Sequence, residues 1–501
     1  MMMLKNPIRT LLLLALLLTS APRVVAGETI EDRWYVVELM GQRSGWMNSL
    51  VERQDNGDIT TTTSLNLKIS RGRVTIPIEM SGVFIETPEG APVSMSGKQR
   101  LGQAPIESSW VFTGGKTGKV RATSTQFGNA TTTEIDPPAG EWSTPYATTQ
   151  RIEALIETGE TTIVTNTIDP AMGLTVVETT ATIEGETTIE ALGRVVPAIK
   201  WIATTSAAPG VQSVEYVNME GEPVRTEVDF GGIRMTIILA DKQLALSDLD
   251  PAEIMVSTFV SPSRPIEGPR QTRRAEYRLT LTDGAGFELA QTGSQTWSRD
   301  GDEIALTVLA EPEESHAASV GDVGPYLAST TNADLGDPEI KALIAHALTG
   351  AENRSDVQKA ELLRRFVHSF INEKSLGVGF ASASEVCRTR QGDCSEHGVL
   401  LTTMLRGAGI PSRVASGLIY AESFAGQRDI FGYHMWSQAL LDVDGHKRWV
   451  DLDATLPDST PFDATHITVA TSDLSDSEAI NSMAGLAPML GKLQIEVVST
   501  R

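Results

Sequence analysis

Cysteine is nearly absent from this 501-residue chain, which has two, Cys387 and Cys394. A disulfide scaffold and a multi-cysteine zinc module are therefore excluded, and stability must come from packing. Aromatic residues make up only 5%. After Leu18 no apolar run approaches the roughly 20 residues needed to span a bilayer. Positive charge is also in deficit: Lys plus Arg total 41 against 64 for Asp plus Glu, giving a net charge of −23 and a pI of about 4.8. That balance repels phosphate backbones and anionic lipid, so nucleic acid is not expected as a partner. What remains is ordinary globular composition, 41% hydrophobic and 21% charged. At roughly 150 residues per domain the length allows about two to four domains.

The first residues carry Lys5 and Arg9, then the apolar run Leu11 to Leu18, then the small-residue exit Val24-Val25-Ala26. This is the pattern of a secretory signal peptide over 1–26, cleaved after Ala26. Cleavage removes the cations Lys5, Arg9 and Arg23 and so takes the charge from −23 to −26. The mature protein is expected to be periplasmic or extracellular, without a stable membrane span.

From about Glu28 to Pro312 the chain is rich in Thr, Val, Ile and Gly, with alternating runs such as TSLNLKIS and TEVDF, and 27–260 is read as one β-rich N-terminal region. Turn signals separate them at Asp55-Asn56-Gly57-Asp58, Pro88-Glu89-Gly90, Glu220-Gly221-Glu222-Pro223 and Asp283-Gly284. Period-2 patterning between such turns predicts antiparallel β structure with few helices. The Pro- and Arg-rich stretch Ser261 to Arg274 opens a smaller β region and linker over 261–325. From 326 to 465 the texture changes. DPEIKALIAHALTG and SDVQKAELLRRFVHSFINEK show amphipathic helical spacing, with Asp337 and Ser355 as N-caps and Pro338 at a first helical position. A further helix follows Cys394, a strand starts near Arg413, and two more strands meet at Asp444-Gly445. The tail, 466–501, predicts a helix and a last strand that close this region.

Cys394 follows Gly392-Asp393 at the start of its helix, where unpaired N–H groups and the dipole favour a thiolate, so it is a nucleophile candidate. A buried structural cysteine is the alternative reading. His434, Trp436 and Gln438 share one face of a strand, and Trp449, Asp451 and Asp453 share a face of the next. Pairing of those strands would let a carboxylate orient the imidazole. Thiolate acyl transfer requires that arrangement. Alternation alone does not separate Asp451 from Asp453.

At these residues the chain resembles the transglutaminase-like superfamily. GDCSEHGVLLTTMLRGAGIPSRVASGLIY is similar to that family's nucleophile helix and following strand, YHMW to its histidine motif and WVDLDAT to its aspartate motif, in the same order. The resemblance covers about residues 335 to 460. It implies an α+β, papain-like core of helices on an antiparallel sheet, here preceded by a large all-β N-terminal region. Matched motif by motif, it implies Cys394 as nucleophile, His434 as general base and then acid, and Asp453 as the residue that orients the histidine. The choice of Asp453 rests on the family's Asp-x-Thr pattern, and Ala454 stands where the family often has proline. The N-terminal region lacks the look of animal tissue transglutaminases, so calcium dependence and crosslinking are not carried over.

Cys387 is read as core. His397, one turn after Cys394, is a rival base or metal ligand, but Cys387, Cys394 and His397 lack a fourth ligand. No metal and no cofactor are expected. Glu396 and His397 are assigned to hydrogen bonding around the nucleophile, and Trp436 to covering the site or filling core. The Cys394 N–H is the first oxyanion donor, with Gln391 a candidate for the second. His316, His346, His368, His446 and His466 are read as surface or packing residues. The expected function is a secreted thiol-dependent acyl-transfer enzyme acting on amide or peptide bonds of a protein or peptide substrate, with hydrolysis favoured over amine transfer. Its rivals are transglutaminase-type crosslinking and a non-catalytic binding or scaffold role for the β region.

Overall fold

A computed structural model describes residues 28–71, 74–100, 105–126, 129–208, 210–230, 233–249, 251–282, 287–311, 321–378, 380–475 and 489–501. The expected signal peptide, the Asp283-Gly284 turn, His316 and most of the expected tail helix lie outside them.

The alternating Thr- and Val-rich runs form one large antiparallel sheet. Its strands are β1 (Glu28–Leu39), β2 (Gln42–Arg53), β3 (Ile59–Arg71), β4 (Val74–Glu86), β5 (Pro92–Arg100), β6 (Ile106–Thr113), β7 (Lys119–Gln126), β8 (Asn129–Ile135), β9 (Thr162–Ile168), β10 (Val176–Ala191), β11 (Arg194–Thr205), β12 (Gln212–Asn218), β13 (Pro223–Phe230) and β14 (Ile233–Ala240). The turn signals at 55–58, 88–90 and 220–223 fall between β2 and β3, β4 and β5, and β12 and β13. The spatial order is β8 through β1 and then β14 back to β9. The first and last strands thus meet mid-sheet, with Trp34 paired to Ala240 and Leu39 to Met235. The sheet curls: Ile168 of the edge strand β9 shares a core with Phe84, Met95, Trp110, Phe112 and Val120 of β4 to β7.

Two helices interrupt the strands of this region. Helix α1 (Pro145–Glu157) carries Pro at its first position, as helix starts favour. Its cap comes from β4, where the buried Glu86 carboxylate accepts from Thr144 Oγ1 at 2.6 Å, Tyr146 N at 2.9 Å and Ala147 N at 3.0 Å. Three donors at the positive helix end satisfy an otherwise isolated buried carboxylate. A short helix, α2 (Lys242–Ala245), follows β14.

The remaining strands β15 (Arg274–Leu281), β16 (Gln295–Asp300) and β17 (Glu303–Leu309) precede helices α3 (Pro338–Ala347) and α4 (Asp356–Phe370). The predicted caps are in place: Asp337 accepts from Glu339 N, and Ser355 and Gln358 form a reciprocal capping box. Then come β18 (Glu373–Lys374), α5 (Ala383–Thr389), β19 (Gln391–Gly392), α6 (Cys394–Gly407), β20 (Ser412–Phe424), β21 (Gln427–Val443), β22 (His446–Leu452), β23 (His466–Ser472) and β24 (Leu493–Thr500). The two-residue strands β18 and β19 pair in parallel, and β22-β21-β20-β23 form a four-stranded antiparallel sheet. The last strand joins a different sheet, ordered β16-β17-β15-β24, with Leu279 opposite Ile495.

Three layers result. The helices bury Leu363, Val367, Leu400 and Met404 against Val414, Ala439 and Leu441 of the four-stranded sheet. The same long strands continue into a second core, where Leu418, Tyr420 and Phe431 meet Tyr277, Leu279 and Leu306 of the smaller sheet. The stretch 261–273 is packed: Ile266 is buried and donates its N–H to Tyr420 Oη at 3.0 Å, and Arg270 pairs with Asp463 at 2.6 Å. Among the described residues no helix is long and apolar enough to cross a membrane.

Candidate active site

Cys394 opens α6, and the residues around it explain how the turn into that helix is made. The Asp393 side chain accepts from Ser395 N at 3.1 Å, while Glu396 reaches back to Asp393 N at 2.8 Å, completing a capping box. Glu396 also accepts from Ala381 N at 2.9 Å. Gly392 is required here, since a Cβ on it would stand 2.2 Å from the Glu396 Cβ. Burial and then the adjacent Asp393 raise the Glu396 carboxyl to about 8.

Helix α6 is clamped onto β21. Ser437 Oγ donates to Gly398 O at 2.9 Å, and Thr402 Oγ1 bonds Ser437 Oγ at 3.0 Å. The backbone N–H of Met435, the residue after His434, is directed at the Cys394 thiol. Cys394 is half-buried as a residue, whereas Cys387 lies buried in α5 with its thiol pushed up to about 11, chiefly by burial. Burial, followed by the Asp393 carboxylate, pushes the Cys394 thiol well above its usual range, while Arg71 and the Met435 N–H pull it back. Burial and the Asp393 cap thus oppose the effect of the helix N-terminus on this thiol.

His434 lies on β21 opposite Gly417 of β20. A Cβ at Gly417 would stand 1.9 Å from the Ile467 carbonyl oxygen, so glycine is what lets β23 approach there. His434 Nε2 meets Asp453 Oδ2 at 2.9 Å. The other Asp453 oxygen accepts from Thr455 N at 2.8 Å and Thr455 Oγ1 at 2.7 Å. Burial alone would raise this carboxyl, but His434 and His466 hold it well below the usual carboxylate range.

Geometry separates the two aspartates that alternation left together. Asp451 Oδ1 accepts from Trp436 Nε1 and Gln438 Nε2, both at 2.7 Å, and its Oδ2 accepts from Ser294 Oγ at 2.5 Å. Trp436 is fully buried, stacked on the His434 ring at 5.9 Å and edge-on to His466 at 5.2 Å. Its indole N–H is committed to Asp451, and its ring is a wall behind the imidazole.

Sequence reasoning missed His466, which is no ordinary packing residue. It is wholly buried, with Nε2 at 3.3 Å from Asp453 Oδ2 and Nδ1 at 3.0 Å from Asp463 O and 3.4 Å from Asp463 Oδ1. Against the opposing effect of burial, Asp463 and Asp453 raise it to about 9, which favours the charged imidazole between two carboxylates. The signal lay in a repeated tripeptide. Asp463-Ala464-Thr465 repeats Asp453-Ala454-Thr455, and Asp463 Oδ1 likewise accepts from Thr465 N at 2.9 Å and Oγ1 at 2.5 Å.

The other singled-out residues take structural partners. His397 is buried, with Nδ1 at 2.5 Å from Asp393 O and Nε2 at 2.5 Å from Lys374 Nζ. Burial lowers it to about 4, which keeps it neutral. Gln391 donates to Glu373 at 2.7 Å. His368 Nδ1 meets Ala454 O at 2.9 Å, and His346 packs edge-on against Phe366. His446 begins β22 on an exposed position. Among the described residues, the histidine, cysteine and acidic atoms spaced to hold a metal are those of His434, Asp453 and His466, all within 4.8 Å of one another. Hydrogen bonding already accounts for that spacing.

Residues 343–454 match the transglutaminase-like superfamily. No curated protein matches the chain. Among solved structures, the chain is similar to a β-barrel-like protein of a domain of unknown function from Brucella abortus, at 11% identity, covering 42% of this chain and 95% of that one, with a TM-score of 0.32. It is also similar to a provisionally assigned cysteine protease from Cytophaga hutchinsonii, at 14% identity over 46% and 87% of the two chains, with a TM-score of 0.28. A provisionally assigned protease from Parabacteroides distasonis is similar at 12% identity over 75% and 68%, with a TM-score of 0.19.

Proposed function

We propose, for a chain that belongs to the transglutaminase-like superfamily through residues 343–454, that it is a secreted thiol-dependent acyl-transfer enzyme acting on amide or peptide bonds. Cys394 is the nucleophile, His434 the base and then the acid, and Asp453 the group that orients His434. The observation that carries this reading is the 2.9 Å contact of His434 Nε2 with Asp453 Oδ2, on the strand against which the nucleophile helix is clamped. An ionised Asp453 accepts the Nε2 proton, which leaves Nδ1 with its lone pair.

Nδ1 takes the thiol proton as sulfur bonds to the amide carbonyl carbon, and the carbonyl electron pair moves onto oxygen. The Cys394 backbone N–H is the first donor to that oxyanion in this reading. The oxyanion collapses, the C–N bond breaks, and the proton on His434 passes to the leaving amine, leaving a thioester. Water then gives a proton to His434 as its hydroxyl bonds to the acyl carbon; the C–S bond breaks, the acid is released, and His434 returns the proton to sulfur to restore the thiol. An amine in place of water would make the product a new amide. Hydrolysis is the favoured outcome, because water is plentiful in an extracytoplasmic compartment.

The test is a library of peptides and amides incubated with the protein, with and without a primary amine, and read by mass spectrometry. Cleavage or deamidation that disappears in Cys394→Ala supports hydrolysis. Amine incorporation would replace it with transglutamination, and identical product profiles for the wild type and Cys394→Ala would overturn the enzymatic reading.

A further inference from the structure

The end of the large sheet reaches the nucleophile. Arg71, the last residue of β3, sends Nη2 to 2.8 Å from Asp393 Oδ2, and its Nη1 donates to Val378 O at 3.4 Å. Asp393 is the N-cap of α6 and the residue directly before Cys394. Two neighbouring contacts seat the same sheet end. Ser382 Oγ, the cap of α5, donates to Gln126 Oε1 at the end of β7 at 2.7 Å, and a Cβ on Gly377 would stand 3.0 Å from Val74 Cγ1 of β4.

We propose that Arg71 is a positioning residue of the active site, supplied by the N-terminal sheet, which balances the Asp393 carboxylate so that the neighbouring Cys394 can lose its proton. This rests on the assignment of Cys394 as nucleophile. The argument is one of charge and place. Asp393 Oδ1 is used by Ser395 N and Oγ at 3.1 and 3.0 Å, so the remaining oxygen faces the guanidinium. From α6 itself, Glu396 adds a second acid beside Asp393, and His397 is neutral with Nδ1 on the Asp393 carbonyl oxygen. Lys374 of β18 is engaged with His397 Nε2. From β21, Met435 N–H faces the sulfur and His434 precedes it. Arg71 is thus the cation paired with the carboxylate that most opposes ionisation of the thiol. Burial is the largest obstacle to that ionisation, Asp393 the next, and Arg71 the first influence in the other direction. The proposal also gives the 14-stranded sheet a part in the chemistry, since that sheet carries Arg71.

The test is the rate at which iodoacetamide alkylates Cys394, measured from pH 6 to 10 by peptide mass spectrometry on the full chain, with Cys387 as an internal reference. Arg71→Gln should slow Cys394 about three- to tenfold near neutral pH and move its profile to higher pH, the size expected when a nearby opposite charge is lost. Arg71→Lys should keep most of the wild-type rate. In an Asp393→Asn background, which retains a good N-cap side chain, Arg71→Gln should have little further effect. A wild-type profile in Arg71→Gln, or an equal loss in the Asp393→Asn background, would overturn the proposal. A Cys394 that is unreactive in the wild type would instead count against the nucleophile assignment. Unfolding midpoints of the same variants separate lost reactivity from lost fold, and Arg71→Lys and Asp393→Asn decide the matter if Arg71→Gln does not fold.

Discussion

Asp453 Oδ2 accepts from His434 at 2.9 Å and lies 3.3 Å from His466, so one carboxylate oxygen joins the His434 imidazole to a second, fully buried imidazole. Beyond His466 lie Asp463 and then Arg270. The charges alternate along this line, which is how a buried row of ions avoids leaving one member unpaired. His434 and His466 on either side of Asp453 hold its carboxyl well below the usual range against the effect of burial.

The two aspartates of WVDLDAT should respond differently to loss of charge. Asp453→Asn removes the acceptor on His434 Nε2, and turnover should fall by about 10³- to 10⁴-fold, the order seen when a histidine loses its orienting carboxylate. Asp451→Asn touches Trp436, Gln438 and Ser294 instead. It should lower the unfolding midpoint and cost less than tenfold in rate. Steady-state kinetics and thermal melts on the two variants test this, and equal kinetic losses would contradict it.

His466 predicts a pH signature in stability. Its folded value of about 9 lies above the ordinary 6.5. A proton held more tightly in the fold contributes stability that is complete below the ordinary value and is lost as pH rises through about 9. His466→Gln should therefore melt well below wild type at pH 6, and the gap should narrow towards pH 10. A gap that stays constant over this range would show that His466 is not charged in the fold.

Gly392→Ala should act on fold and site together. The added Cβ overlaps Glu396 Cβ, so the capping box must open or the backbone must shift. Overpacking of this kind costs about 1–3 kcal/mol. Denaturant unfolding should show that loss, and Cys394 alkylation should slow in parallel. Unchanged values for both would mean the turn is looser than the contacts indicate.

Local features were readable in the sequence and contacts made by folding were not. The N-caps Asp337 and Ser355, the turns at 55–58 and 444–445 and the alternation of β1 to β14 depend on neighbours a few residues apart. Helix α1 escaped notice because its Thr-rich sequence sits among strands and its cap, Glu86, comes from β4. Arg71 carries no local mark at all, since its role arises only where β3 ends against the nucleophile turn. His466 did carry one, the second Asp-Ala-Thr, which has meaning only once both turns face the same carboxylate. At the helix start of Cys394, burial and the Asp393 cap oppose the dipole, and the burial becomes visible only in the fold.

Site-resolved labelling of the two cysteines tests the central claim most directly. The full chain is treated with iodoacetamide near neutral pH and the rates at Cys394 and Cys387 are read by mass spectrometry, in wild type and in His434→Ala. Cys394 should react at least tenfold faster than Cys387 in wild type, and His434→Ala should slow Cys394 by a similar factor while leaving Cys387 unchanged, because the imidazole removes the proton. Equal rates at the two cysteines, or a Cys394 rate indifferent to His434, would contradict the assignment of Cys394 and His434 as nucleophile and base.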